Sequence, residues 1–191
     1  MTRRALDPAE LAVAVSAALT AAHVPHAIGG AIAHGFWGDP RGTRALDVNV
    51  FLAIDRARPA LDALRAAGVA LDVEKVEASA RDRGDARVFY DDIPVDLFFS
   101  SIPLHESAGR RTVELSLSGR TIPILSAEDL IVLKLLFFRG KDVVDVERMV
   151  ALRGEELDRD YVRRWLVDCV GEEDERVARL DAIFAAIPAN R

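Results

Sequence analysis

Apolar side chains recur along this chain at two periods, every second residue in some stretches and every third or fourth in others, and the changes of period mark the elements. Across residues 45–53, Leu46, Val48, Val50 and Leu52 point one way while Ala45, Asp47, Asn49 and Phe51 point the other. This predicts a strand with one core face and one face showing Asp47 and Asn49 on neighbouring pleats. A second alternation over 93–99 turns Ile93, Val95, Leu97 and Phe99 inward and leaves Asp96 on the opposite face among Pro94 and Phe98. With 87–90 it makes a hairpin around Asp91-Asp92. Residues 112–117 and 120–124 form another hairpin, turning at Ser118-Gly119. A short strand over 24–28, a turn at Gly29-Gly30 and a short helix over 31–37 precede the first of these strands, and a helix over 58–67 ended by Gly68 leads into a strand over 69–73.

Helical periodicity dominates both ends. Asp7-Pro8 followed by Leu11, Val15 and Leu19 reads as a capped first helix. Ser126 is an N-cap, with Glu128 and Asp129 in the first turn where they complement the helix dipole. The following residues, 130–138, are apolar all round except for Lys134. That composition belongs to a buried helix, and a buried lysine needs an anion. Gly140 is expected to break this helix, with further helices over 141–152, 160–170 and 173–187. The expected organisation is an α+β fold, with a core over 1–125 and a C-terminal helical region over 126–191 packed on it.

Composition narrows the function classes. The 191 residues suffice for one well-packed domain with a helical appendage. Half the residues are hydrophobic, yet no stretch approaches the roughly 18 apolar residues of a membrane span. The Met-Thr-Arg-Arg start, with an alanine-rich run after it, lacks a signal-peptide cleavage pattern, so a cytoplasmic protein is expected. The single cysteine, Cys169, sits among Trp165, Leu166 and Val170 and reads as a buried, inert thiol. His23, His26, His34 and His105 show no zinc spacing and no triad partner. A net charge of -6 argues against a broadly basic nucleic-acid binder, but the charge is uneven. Arg41, Arg44, Arg110, Arg111, Arg120, Lys134, Arg139 and Lys141 lie mid-chain, whereas Glu155, Glu156, Asp158, Asp160 and the Glu172–Glu175 run load the tail.

The glycine pair, then Arg41 and Thr43, then an apolar strand bearing Asp47 places backbone N–H groups before a carboxylate face, the arrangement that handles a nucleoside triphosphate. This segment resembles the nucleotidyltransferase superfamily, the polymerase-beta-like fold. It is most similar to the AbiEii-like toxin branch, where Gly-Gly is followed by Arg-x-Thr-x-Asp-x-Asp. Anchoring on Arg41 and Thr43 puts Ala45 at the first aspartate and Asp47 at the second. A register shifted by two residues would instead pair Asp47 with Asn49, at the expense of a two-residue insertion. The resemblance runs on through Val95-Asp96-Leu97, like the strand bearing the third carboxylate, and through the helix of Lys134 to Arg139-Gly140-Lys141-Asp142-Val143-Val144-Asp145.

The resemblance implies a nucleotidyltransferase-like mixed sheet flanked by helices and followed by a C-terminal helical region. It implies Asp47, Asp96 and Lys134 in catalysis, and Gly29, Gly30, Arg41, Thr43, Lys134 and Lys141 around the nucleotide. Asp47, Asp96 and Asn49 would hold Mg²⁺, with an NTP as substrate. Transfer would go to an acceptor hydroxyl, on RNA in a toxin-antitoxin setting with an antitoxin protein as partner, or on a small cationic compound of antibiotic type. With Ala45 in the first position, a catalytically silent nucleotide- or partner-binding module is the third reading. Individual residues keep structural readings too. Asp96 serves equally in a hairpin salt bridge, Lys134 pairs with Asp96 or snorkels, and Asp142 and Asp145 form local pairs with Lys141 and Arg148.

Overall fold

The computed structural model of the chain describes residues 6–187, so the Met-Thr-Arg-Arg start lies outside the described residues. The chain divides into two compact units, one built from residues 1–32 and 42–125, the other from 33–41 and 126–191. No helix among the described residues is long and apolar enough to cross a membrane.

The first unit is a six-stranded mixed sheet flanked by helices. Its strands are β1 (His26–Ile28), β2 (Leu46–Val50), β3 (Asp85–Tyr90), β4 (Ile93–Phe99), β5 (Val113–Leu117) and β6 (Arg120–Ile124), in the order β3-β4-β2-β1-β6-β5. The central pair, β2 and β4, is parallel, with Leu46 opposite Val95, Asp47 opposite Asp96 and Val48 opposite Leu97. Alternation fixes the faces: Leu46, Val48, Val95 and Leu97 are fully buried, and Asp47 and Asp96 share the other side. Helix α1 (Pro8–Ala21) is closed by a reciprocal cap between Asp7 and Glu10 and buries Leu11, Val15 and Leu19.

Helix α2 (Gly30–Trp37) starts in this unit, one residue earlier than expected. Helix α3 (Arg58–Ala66) ends before Gly68, whose φ of 95° is left-handed. The strand expected over 69–73 reduces to a single bridge between Ala70 and Phe89, because Asp72 caps a new helix, α4 (Val73–Arg83), by accepting from the Lys75 amide. A further helix, α5 (Pro103–Arg110), was also not anticipated. Pro103 at its first position suits a helix start, and its short buried face is Leu104 and Ala108.

The second unit gathers the C-terminal half of α2 with α6 (Ala127–Phe137), α7 (Gly140–Arg153), α8 (Arg159–Val170) and α9 (Glu175–Ala186). Ser126 caps α6, its Oγ accepting from the Asp129 amide and donating to the Asp129 carboxylate at 2.6 Å, while the Tyr161 hydroxyl donates to the other oxygen at 2.6 Å. The expected break at Gly140 is displaced. Phe138 takes the left-handed turn at φ 53°, Arg139 caps the next helix, and Gly140 is that helix's first residue. Arg153 lies over the Trp37 ring and donates to the Phe36 carbonyl at 2.9 Å, tying the end of α2 to α7. Cys169 is free and half-buried, and burial pushes its thiol pKa up, in keeping with an unreactive thiol.

Candidate active site

In the first unit the polar sheet face is a row of residues set by strand register. The two-residue turn at Asp91-Asp92 pairs Tyr90 with Ile93, and three rungs further along the ladder this places Arg87 opposite Asp96. On the other side of β4, Asp96 faces Asp47. The row therefore reads Arg87, Asp96, Asp47. The Gly29 amide extends it by donating to the Asp47 carbonyl at 2.9 Å.

The glycine pair is required by this face. A Cβ on Gly30 would lie 1.9 Å from the Asp47 carboxylate oxygen, and its φ of 55° already favours glycine. A Cβ on Gly29 would lie 2.6 Å from the Asn49 amide nitrogen. Both close approaches come from strand side chains pressed against the start of α2, which brings Asp47 to that helix's N-terminus. Asn49 is only 5% exposed. Its amide packs against Gly29 instead of standing on a solvated face.

Asp96 accepts from Arg87 Nε at 2.6 Å and Nη2 at 2.8 Å, the hairpin salt bridge that was one of its two readings. Arg87 has its pKa raised, first by the hydrogen bond and charge of Asp96, with a contribution from Asp47. Thr43 Oγ donates to the Ala45 carbonyl at 2.9 Å and accepts from its amide at 3.2 Å, folding the loop that enters β2.

Two resident divalent ions do not fit these residues. Ala45 supplies no oxygen, both Asp96 oxygens face a guanidinium, and no group of three or more His, Cys, Asp or Glu side chains poised for a metal occurs among the described residues.

The second unit holds a separate ionic cluster. Lys134, 5% exposed on α6, donates to Asp145 on α7 at 2.6 Å, and Arg41 donates to the same oxygen at 2.9 Å. The anion that a buried lysine requires is thus Asp145, neither Asp96 nor solvent. Asp145 does not pair with Arg148, and Asp142 pairs with Arg139 at 2.5 Å, not with Lys141. Lys141 itself is exposed. His34 lies fully buried with Nε2 3.6 Å from Asp145, and neither ring nitrogen has a hydrogen-bond partner.

Sequence reading gave Asp145 only a local pair and His34 no site role, and it passed over Arg87. Asp142, Asp145, Val146, Met149 and Val150 form one buried helical stripe, so Asp145 was marked by spacing as inward-facing. Arg87 was marked by counting outward from the Asp91-Asp92 turn.

Burial lowers the His34 pKa below its ordinary 6.5, against the opposing charge of Asp145. The unfolded chain therefore takes up this proton first, and His34 costs the fold stability as pH falls below 6.5 toward the lowered native value. Between about pH 7 and about pH 5, a His34→Gln variant is expected to show a flatter dependence of Tm on pH than the parent chain. Superimposable profiles in thermal melts would remove His34 as a source of acid sensitivity.

The fold is similar to that of ANT(2'')-Ia, an antibiotic-resistance factor. Its solution structure aligns with a TM-score of 0.59 at 14% identity, over 93% of this chain and 97% of that one. Its crystal structure in complex with adenylyl-2''-tobramycin aligns with a TM-score of 0.53 at 14% identity over the same shares. An antigenic nucleotidyltransferase-like protein from Paracoccidioides brasiliensis aligns with a TM-score of 0.43 at 18% identity, over 97% of this chain and 99% of that one. No protein-family profile and no curated protein sequence matches the chain. The chain has a nucleotidyltransferase-like fold, a mixed α/β architecture with a six-stranded sheet flanked by helices.

Proposed function

We propose that the chain binds a magnesium-complexed nucleoside triphosphate on the polar face of β2 and β4. The chemistry is transfer of a nucleotidyl group to an acceptor hydroxyl, which the chain performs slowly or not at all because Ala45 stands where a carboxylate is needed. The supporting observation is the register that sets Asp47 beside Asp96, with the Gly29-Gly30 turn opening α2 against Asp47 and Asn49. The N–H groups at a helix start suit phosphate oxygens. Mg²⁺ arrives here as part of the substrate, and Asp96, once an oxygen is released by Arg87, would take the proton of the attacking hydroxyl. Arg41 and Lys134, given to the phosphates by the sequence resemblance, are committed to Asp145.

The AbiEii-like pattern supports RNA as acceptor, with an antitoxin protein as partner in a toxin-antitoxin pair. A second reading, a small hydroxylated cation, is supported by the likeness in fold to ANT(2'')-Ia, solved with adenylyl-2''-tobramycin, and by the net charge of -6. Calorimetric titration with each of the four NTPs and Mg²⁺ tests the binding step. The parent chain is expected to bind at least one of them. Gly30→Ala, which forces a Cβ into the space of the Asp47 carboxylate, should weaken that binding by at least about tenfold while circular dichroism still reports a folded chain. Equal affinity in the variant would move the nucleotide away from this turn.

A further inference from the structure

The three charged side chains of the β3-β4-β2 row are one cation and two anions, and the cation is part of the chain. Arg87 and Asp96 are opposed by strand register, so their meeting is built into the hairpin, and both carboxylate oxygens are taken at 2.6 and 2.8 Å. Asp47 is the next residue along the row, and its charge also acts on the guanidinium.

With Ala45 supplying no charge, Arg87 cancels half of the negative charge that Asp47 and Asp96 offer. A divalent ion needs that charge and those oxygens, so it meets a competitor already in place. The competitor is displaceable, because the Arg87 side chain is 60% exposed and the guanidinium can move into water, whereas Asp96, at 19%, stays anchored in the strand. A magnesium-complexed triphosphate carries both a cation for Asp96 and an anion for Arg87, so an exchange of partners keeps every charge matched.

We propose that Arg87 is a tethered cation that competes with divalent metal for Asp96 and so sets how tightly this face holds metal. This rests on the reading of the face as a triphosphate site, but its test does not depend on nucleotide. Mn²⁺ alone is titrated into the parent chain, Arg87→Gln, Arg87→Lys and Arg87→Gln/Asp96→Asn, with bound metal read by electron paramagnetic resonance and folding by thermal melts.

Arg87→Gln is expected to tighten Mn²⁺ binding by at least about tenfold, Arg87→Lys to stay near the parent chain, and the double variant to lose the gain. Unchanged affinity in a folded Arg87→Gln, or a gain that survives Asp96→Asn, overturns the competition. Nucleotide calorimetry on the same variants keeps the two readings apart. Triphosphate binding without a Mn²⁺ effect rejects only the role of Arg87, while a Mn²⁺ effect without triphosphate binding rejects only the nucleotide reading.

Discussion

Ala45→Asp is expected to raise Mg²⁺-dependent nucleotidyl transfer by on the order of 100-fold over the parent chain. Residue 45 immediately precedes β2 and lies two residues before Asp47, the spacing of one strand face, so an aspartate there would add a carboxylate beside Asp47 at the edge of the pair that holds Asp96. Three carboxylates against the one guanidinium of Arg87 would give this face the oxygen donors and negative charge it lacks. The same substitution should make the fold respond to metal. Without Mg²⁺ the added acid repels its neighbours and lowers Tm, and with Mg²⁺ the loss is recovered.

Labelled NTPs supplied with total RNA in one assay and aminoglycoside-like small molecules in another read the transfer and identify the acceptor class. Absence of any gain across all four NTPs and both acceptor pools, in a variant whose Tm does respond to Mg²⁺, would establish the chain as a nucleotide- or partner-binding module. Vigorous transfer by the parent chain would instead favour the shifted register with Asp47 and Asn49 as the pair. The burial of Asn49 against Gly29 stands against that register.

The parts of this arrangement that were legible in the sequence are those decided by local periodicity. Period-two alternation separated the core and polar faces of β2 and β4, and the turn at Ser118-Gly119, where both residues adopt positive φ, was readable from its residue types. Helices α4 and α5 escaped because each buries a short face and their strongest start signals, Asp72 and Pro103, fell in stretches that read as strand or loop. Partner choice was the least legible. Alternation places Asp96 on a face, but which cation meets it depends on the register of β3. A lone lysine in an apolar helix announces that an anion exists without saying which of two acids, three residues apart on α7, supplies it.

Asp145→Asn is expected to be the most damaging single change in the second unit, at about 3–5 kcal/mol, because it removes the anion from a buried lysine without removing the lysine. Lys134 and Asp145 side chains are 6% and 4% exposed, so water cannot replace the lost charge, and Arg41 loses its acceptor at the same oxygen. Asparagine keeps the shape and can accept one hydrogen bond, which isolates charge as the cause. For a chain of this length the loss corresponds to a fall in Tm of about 10 °C.

Burial, the largest single influence on Asp145, pushes its pKa up. The hydrogen bonds from Lys134 and Arg41, helped by the charges of Lys134 and His34, outweigh it and hold the carboxyl below its ordinary value. A lowered native pKa means the stabilisation is fully present above about pH 4 and disappears as pH falls through the native value, so the gap between parent and variant should close in acid. Lys134→Met combined with Asp145→Asn removes both charges from an otherwise apolar helix contact and should recover part of the loss. Thermal and urea melts of the parent, both single variants and the double variant complete the cycle. A single Asp145→Asn within about 1 kcal/mol of the parent chain at pH 7 would mean that Lys134 finds another anion or leaves the interior, and the buried pair would not be what holds α6 to α7.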